Sequence, residues 1–257
     1  MKNRILCLSI LLSLMAAFTL PAQNAGRISD SLAFVNAPWK ITDLGKGARA
    51  GYAQINMFNS VQSVSFVSYP ARNFRTEILH RPADTAGKPS EIGKETGACF
   101  MMNAGYFNVK ELTPCVYFRQ GKQILGHTHP TELYRVDGVF GFTDRKGREM
   151  VVAHCPDSLD YEAVSRKMKS VMASGPLLIL DGDIVVPVLM GDKADGASIY
   201  ETAYICHLFG MTDAINLDGG GSSALWTSTT GVISHPRDNR RFDHEGERTV
   251  PNLIAVY

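Results

Sequence analysis

The segment from Ile215 to Leu225 places one carboxylate, three consecutive glycines and two serines directly after an apolar stretch. Glycine permits left-handed backbone and lets a ligand approach the main chain closely. Successive main-chain N–H groups in such a turn form a concave site for an anion. Asp-Gly and Gly-Gly are also common hairpin turns, but three glycines exceed what a two-residue turn requires. The segment therefore predicts an anion-binding loop with Asp218 at one edge and Ser222 at the other.

Three further segments combine polar groups with glycine, as the walls of a shared pocket would. Asn103 to Asn108 offers amides and aromatic rings that can hold a sugar, although an ordinary turn at a strand exit fits it equally well. Ser174 to Pro176 is typical of a turn before an apolar strand. Glu245 to Asn252 contains Arg248, whose guanidinium can bind a phosphate in bidentate fashion. A solvated charged loop is the usual structure of such a run.

The sequence Ser198-Ile199-Tyr200-Glu201 matches a capping box at the start of a helix. In this motif the glutamate side chain accepts a hydrogen bond from the backbone N–H of the serine. That structural role can account for Glu201 by itself. A catalytic role for the same carboxylate is the alternative.

Two other kinds of site are not favoured. His127, His129 and Glu132 lie in a proline-containing loop without a second matched cluster, which favours polar surface over a metal site. No Gly-x-Ser-x-Gly elbow is present, and no nearby histidine signal accompanies Ser222, which argues against a serine hydrolase. We therefore predict no metal and no cofactor.

The first residues of the chain match a secretory signal peptide. Two basic residues precede the apolar run Ile5–Leu20, and small residues follow it. We predict cleavage after Ala22, with Ala25 as second choice, and hence a signal peptide over 1–22 and one domain over 23–257. A membrane span needs about 20 apolar residues, so a retained anchor is the lesser alternative.

Composition limits the classes of partner. The formal net charge of +1 offers no basic field for nucleic acid or an anionic membrane. An apolar content of 45% is typical of a globular protein. The near-neutral charge therefore predicts a protein that binds no nucleic acid. The signal peptide predicts a periplasmic or secreted protein that has no stable membrane insertion after signal cleavage.

Four cysteines remain after the predicted cleavage site. Cys99, Cys115, Cys155 and Cys206 would allow three disulfide connectivities in an exported protein. A domain of this size does not need disulfides to hold its core. Buried free thiols are therefore an equally good prediction.

Hydrophobic spacing predicts two principal helices. The first covers Asp157–Met172, and the second starts at Ser198 and stops at Gly210. The polar stretch Arg72–Gly97, with its prolines and glycines, predicts a long surface loop or an excursion.

Several short apolar runs predict strands. The runs Gly138–Phe142 and Glu149–Ala153 flank a charged turn and predict a hairpin. A second hairpin is predicted for Leu177–Leu180 with Ile184–Val188, and Asn252–Val256 is the last strand. Many strands with two helices at irregular spacing predict an α+β fold, a single domain with a mixed, largely antiparallel sheet.

Taken together, five segments in chain order resemble the phosphodiester glycosidase family, and the N-terminal third matches only in being rich in predicted strands. The matching segments are Asn103–Phe107, Ala173–Leu178 with Asp181-Gly182, Gly196–Ala203, Asn216–Ser223, and Arg248 with Val250–Asn252. The Arg-Thr-Ala-Ile-Gly strand usual in the family has no match in Asp183–Asp195. The nearest counterpart, Gly138–Gly147, comes earlier in the chain and lacks the Arg-Thr pair.

The resemblance implies hydrolysis of the bond between a sugar's anomeric carbon and a phosphodiester. The substrate would be a sugar phosphodiester or phosphoglycan. Asp218 would act on the sugar cation or on water, with Glu201 as the second catalytic candidate. The groups implied for substrate binding are Asn103, Tyr106, Ser174, Gly219, Gly220, Gly221, Ser222, Arg248 and Asn252. A non-catalytic exported module that binds phosphorylated glycans or exopolysaccharide is the alternative function.

The signal peptide gives the first testable prediction. The exported protein should begin at Gln23, because the short charged and apolar start is a removable signal. N-terminal sequencing of periplasmic or secreted material measures this. An intact Met1 recovered from the membrane fraction would contradict it.

Overall fold

The computed structural model describes residues 22–144, 146–186 and 197–257. The predicted signal peptide before residue 22 and the end of the second predicted hairpin, residues 187–188, lie outside the described residues. The described residues form two compact units, 22–38 with 54–62, and 39–53 with the described part of 63–257. All the candidate site residues lie in the larger unit.

The described part of the smaller unit contains one helix and the tip of a β-hairpin. The backbone N–H of Phe58, which has a left-handed conformation with φ of +56°, donates to the Asp30 carboxylate at 3.0 Å. This bond ties the hairpin turn to the helix within the unit.

The described residues form four α-helices and four short 3-10 turns. The helices are α1 (Ala22–Val35), α2 (Pro89–Thr96), α3 (Tyr161–Val164) and α4 (Ile199–Leu208). The 3-10 turns are Ala71–Asn73, Pro130–Glu132, Ser158–Asp160 and Gly220–Ser222.

Most of the regular structure is strand. The strands are β1 (Lys40–Gly45), β2 (Ala48–Met57), β3 (Ser60–Ser68), β4 (Thr76–His80), β5 (Phe100–Asn103), β6 (Phe107–Asn108), β7 (Thr113–Pro114), β8 (Phe118–Gln120), β9 (Gln123–Gly126), β10 (Gly138–Phe142), β11 (Met150–His154), β12 (Ser170–Ser174), β13 (Leu177–Leu180), β14 (Asp183–Ile184), β15 (Ala214–Ile215), β16 (Leu225–Thr227), β17 (Gly231–Val232) and β18 (Asn252–Val256).

Two five-stranded sheets carry the larger unit. Their strand orders are β11-β10-β12-β8-β9 and β17-β16-β5-β18-β4, and a three-stranded sheet has the order β14-β13-β15. The named strand pairs described in this unit are antiparallel, and a single parallel bridge joins Arg237 to Gly246. The predicted α+β fold with a largely antiparallel sheet is confirmed.

The core explains why β10 and β12 are central strands. All five residues of β10 are buried, and in β12 Val171, Met172 and Ala173 are fully buried. Antiparallel sheets that pack on both faces give such continuous apolar runs instead of alternation. Ser174 at the end of β12 and Asn103 at the end of β5 are thereby held at fixed positions.

The helix predicted for Asp157–Met172 is wrong beyond its first turns. The segment forms a 3-10 turn and the short α3, which ends at Val164, and Ser170 onward is strand β12. Val164 is 40% exposed and does not lie on an apolar helix face, whereas Val171 and Met172 pair with β10. The three- and four-residue spacing of the apolar residues was therefore coincidental, and tertiary pairing overrides it.

The long loop predicted for Arg72–Gly97 is also wrong. It contains β4, which pairs with β18, and α2, which begins with Pro89 and ends before Gly97 at φ of +69°. The prolines and glycines of this stretch mark element boundaries. Gly93 lies so close to the Trp226 ring that a side chain there would clash with it.

Other predicted elements are confirmed. The first hairpin is β10 with β11, and the second is β13 with β14 as far as the described residues extend. The second helix has Ser198 as its N-cap, and the last strand covers Asn252–Val256.

The four cysteines are free thiols, of which Cys155 is buried. Burial raises the pKa of the Cys206 thiol to about 11. No helix in the described part of the chain combines the length and apolar character that crossing a bilayer requires.

Candidate active site at the glycine loop

The side chain of Asn103 holds the glycine loop at both of its ends. Its Nδ2 donates to the Asp218 carbonyl at 2.5 Å, and its Oδ1 accepts from the Ala224 N–H at 3.1 Å. Asn103 is 3% exposed at the end of β5. A single amide therefore bridges the start and the end of the loop, and fixes the loop against the β-sheet.

The loop itself is a tight 3-10 turn with an open side. The N–H groups of Ser222 and Ser223 donate to the carbonyls of Gly219 and Gly220. Gly220 has a φ of +58°, which favours glycine, and an added side chain at Gly219 or Gly220 would meet only open space. The backbone at Gly219 and Gly220 is therefore open to approach from this side.

Arg248 lies against the loop beside Gly221 and Ser222. Its Nε donates to Asp238 Oδ1 at 2.7 Å, its Nη2 donates to the same oxygen, and its Nη1 is 3.4 Å from Ser222 Oγ. A side chain at Gly221 would clash with the Arg248–Asp238 pair. The third glycine is thus required by close packing of the ion pair, and the first two border open space.

The Asp218 carboxyl is partly withdrawn from solvent. Burial raises the pKa of Asp218 above its ordinary value, against lowering by a hydrogen bond from Ser222, the charges of Arg135 and Arg248, and the Gly219 N–H. Its own N–H donates to the Ala104 carbonyl at 3.0 Å. A carboxyl with a raised pKa beside cations can exchange a proton at a reacting centre.

A second polar network forms the wall next to the loop. Ser174 Oγ donates to the Asn216 carbonyl at 2.6 Å, and Asn216 Nδ2 donates to Tyr106 Oη and to the Gly175 carbonyl, both at 3.1 Å. The Tyr106 hydroxyl also donates to the Gly175 carbonyl. Burial raises the pKa of Tyr106 to about 12. The phenol is therefore a protonated, hydrogen-bonded part of the wall.

Asn252 completes the wall at the start of β18. It is 1% exposed, and its Oδ1 lies 3.3 Å from His80 Nδ1. Its carbonyl accepts from the Ala104 N–H at 3.0 Å, which places it beside Asn103 and Asp218. Its Nδ2 is buried and has no hydrogen-bond partner among the described residues, and contact of this amide with a substrate stays a prediction.

Glu201 forms the capping box that its sequence predicts. Its Oε2 accepts from the Ser198 N–H at 2.8 Å, and its own N–H donates to Ser198 Oγ at 3.2 Å. The structural role is confirmed. The catalytic role of Glu201 stays a prediction.

No group of three or more His, Cys, Asp or Glu side chains within the described ranges is arranged to hold a metal ion. His129 instead caps the 3-10 turn at Pro130–Glu132, where its Nδ1 accepts from the Thr131 N–H. The site as described rests on carboxylates, amides, arginines and backbone N–H groups.

Part of the chain matches a known protein family. Residues 181–257 match the family model described as phosphodiester glycosidase. The predicted resemblance to the phosphodiester glycosidase family is confirmed. The matched segment contains Glu201, Asp218, Arg248 and Asn252 together with the glycine loop. Comparison with curated proteins gives no match.

Two solved structures have a similar fold. The zebrafish N-acetylglucosamine-1-phosphodiester alpha-N-acetylglucosaminidase catalytic domain, auto-inhibited by its pro-peptide, has a TM-score of 0.61 at 13% identity, with 91% of this chain and 92% of that chain covered. A hypothetical protein from Synechocystis has a TM-score of 0.60 at 15% identity over 85% of this chain. The present chain spans 63% of the length of the Synechocystis protein.

The phosphodiester glycosidase match leaves part of the site outside it. Asn103, Tyr106 and Ser174 precede residue 181, and the structure brings all three to the glycine loop or to its neighbouring wall. Their polar atoms are occupied by bonds to backbone or to Asn216. Their direct contact with substrate stays a prediction.

Sequence reasoning missed four residues of this candidate site. Asn216 lies inside the recognised motif, yet its bridging amide could not be read from the motif. Asp238 orients Arg248 from a polar loop. Arg135, whose guanidinium lies 3.9 Å from the Tyr106 ring centre, and its partner Glu132 come from the loop predicted to be polar surface. The available signal was an arginine shortly before the apolar strand β10, separated from it by Val136 and Asp137.

The Asn103 bridge gives a testable prediction. Asn103→Asp should destabilise the fold by about 1–3 kcal/mol, because a carboxylate cannot donate to the Asp218 carbonyl and leaves a buried group unpaired. Asn108→Asp is the matched control, since Asn108 uses only its Oδ1, to accept from the N–H groups of Lys110 and Glu111. Thermal unfolding of both variants decides it. Equal stability of the two would contradict the bridging role.

Proposed function

We propose that this chain is an exported hydrolase that cleaves the bond between a sugar C1 and the phosphate of a glycosyl-1-phosphodiester. The products would be the free sugar and a phosphomonoester. The observation that supports this most directly is the meeting of a carboxyl with raised pKa, an open glycine turn and Arg248 at one loop. The family match over residues 181–257 contains the same loop.

The reaction makes limited demands on acid catalysis. A phosphomonoester is a good leaving group, so the C1–O bond can break with little protonation of the leaving oxygen. Positive charge develops on the sugar ring while negative charge remains on the phosphate. A site for this reaction must stabilise both charges with groups already in place. It does not require the paired carboxylates at fixed separation that ordinary glycosidases use.

The phosphate is assigned to the open side of the loop. There the N–H groups of Gly220 and Gly221 would donate charge-assisted hydrogen bonds to its oxygens. The Ser222 and Ser223 N–H groups are used within the turn, and the Gly219 N–H serves Asp218. Ser222 Oγ and Arg248 Nη1 would complete the phosphate contacts. A bound phosphate would compete with Asp238 for Arg248.

Asp218 is assigned to the sugar side. As a carboxylate it would stabilise the developing cation or accept the proton of the water that attacks C1. Glu201 is the second candidate for that role. Asn252 would orient the sugar, whereas Asn103, Tyr106 and Ser174 would hold the wall in place.

The predicted signal peptide supports a location outside the cytoplasm. The near-neutral net charge supports a small glycan substrate in preference to nucleic acid. A panel of sugar-1-phosphodiesters would identify the sugar and the acceptor.

Water labelled with heavy oxygen tests the proposed reaction. A panel of sugar-1-phosphodiesters is incubated in labelled water, and the label should appear in the released sugar because water attacks C1. Aryl glycosides without phosphate should not react, because the predicted affinity rests on donors aimed at an anion. Label found in phosphate would contradict the glycosidase and indicate a conventional phosphodiesterase. Binding without any turnover would favour the non-catalytic glycan-binding module.

Two substitutions separate the catalytic candidates. Asp218→Asn should abolish turnover at an unchanged melting temperature, because it removes the charge with little change in size. Glu201→Gln should retain most activity, since an amide oxygen can still accept from the Ser198 N–H. Loss of activity in the Glu201 variant, with activity kept in the Asp218 variant, would reverse the assignment.

The same assignment fixes a pH dependence. Asp218 acts in its ionised form, so kcat/KM should be present above its pKa and fall as the pH drops through it. Burial raises that pKa, so the loss should begin at a higher pH than for an ordinary aspartate. A pH profile whose acid limb lies at or below the ordinary aspartate value would contradict this role.

A further inference from the structure

A second arginine lies against the wall of the candidate site. The Arg135 guanidinium stacks on the Tyr106 ring with 3.9 Å between Cζ and the ring centre. The Tyr106 hydroxyl is 3.1 Å from the Asn216 amide, two residues before Asp218. The Arg135 carbonyl also packs against Gly175, where a side chain would clash with it. Backbone and side-chain contacts therefore fix this cation beside the site.

The pairing of Arg135 repeats the pairing of Arg248. Arg135 donates from Nε to Glu132 Oε2 at 2.7 Å and from Nη2 to the same oxygen. Its Nη1 has no hydrogen-bond partner in the described part of the chain. Arg248 likewise binds Asp238 through Nε and Nη2 and directs Nη1 to Ser222. Each arginine is thus held along one edge by a carboxylate.

Charge balance follows from this arrangement. Glu132 neutralises Arg135, and Asp238 neutralises Arg248, while Asp218 adds a negative charge when ionised. An anionic substrate can accept from the remaining N–H donors, and its net attraction increases where it also displaces one of the carboxylates. The Arg135 pair is accessible for such an exchange, because the Arg135 side chain is 36% exposed and the adjacent Tyr134 is 79% exposed.

We propose that Arg135 is a second phosphate-binding cation of this site, and that Glu132 competes with the phosphate for it. This inference rests on the proposed function for the identity of the ligand. Glu132 holds the guanidinium over the Tyr106 ring. A phosphate on the glycine loop then accepts from Arg135 Nη1 and draws the guanidinium from Glu132. Arg135 strengthens phosphate binding, and competition from Glu132 reduces that gain in affinity.

Binding of two simple probes tests the proposal without any turnover. Inorganic phosphate and glucose 1-phosphate are titrated calorimetrically into the wild-type protein, Arg135→Gln, Glu132→Gln and the double variant. Arg135→Gln should weaken binding of both probes about tenfold, the equivalent of one charge-assisted hydrogen bond. Glu132→Gln should tighten binding several-fold, and the double variant should lose that gain. Stronger loss for glucose 1-phosphate than for phosphate would place the sugar on the Arg135 side.

Arg75→Gln is the matched control. Arg75 also pairs with a glutamate, Glu77, at 2.7 Å and lies 4.0 Å from a tyrosine ring centre, that of Tyr257. Its substitution should leave probe binding unchanged, and thermal unfolding checks that each variant is folded. A Glu132→Gln gain of the same size in the presence and absence of Arg135 would overturn the competition.

These outcomes are separate from those of the proposed function. Tenfold weaker probe binding by Arg135→Gln, in a protein that hydrolyses no phosphodiester, would support the binding role and contradict the glycosidase. Wild-type binding by Arg135→Gln, in a protein that does hydrolyse phosphodiesters, would overturn the binding role alone. Wild-type protein that binds neither probe at millimolar concentration would also overturn it.

Discussion

The site depends on one amide, that of Asn103, which joins the Asp218 carbonyl to the Ala224 N–H. A turn with three glycines has high conformational entropy when unfolded, and it needs anchors at both ends to present its N–H groups in one direction. Asn103 provides both anchors from the end of a buried strand. The N–H of Asp218 adds a third through the Ala104 carbonyl. Catalysis by groups in place before the reaction requires this kind of support.

Electrostatics in the site follows a common pattern, in which each cation has its own carboxylate. The arginines are oriented by carboxylates on one edge and face the loop or the wall with the other. Such partly exposed pairs contribute little to stability, and each reduces the net positive charge that the arginine presents to an anion. They also lower the affinity for an anionic ligand, because binding must replace an ion pair that is already formed. The pKa of Asp218 depends on the same charges, because Arg135 and Arg248 lower it while burial raises it.

The sequence predicted the local motifs well and the long-range contacts poorly. The glycine loop, the Ser198 capping box and the strand Asn252–Val256 each have a signal within a few neighbouring residues. The bridging role of Asn103 and the approach of Arg135 to Tyr106 join residues far apart in the chain, and no local pattern encodes them. The helix predicted for Asp157–Met172 failed for the same reason, because pairing with β10 decided the conformation of its second half.

A crystal structure of the Asp218→Asn variant with an intact glycosyl phosphodiester measures the central claim most directly. The account predicts the phosphate on the N–H groups of Gly220 and Gly221 with Arg248 in contact, and the anomeric carbon facing residue 218. Phosphate bound away from the glycine loop, or a sugar turned away from residue 218, would contradict it.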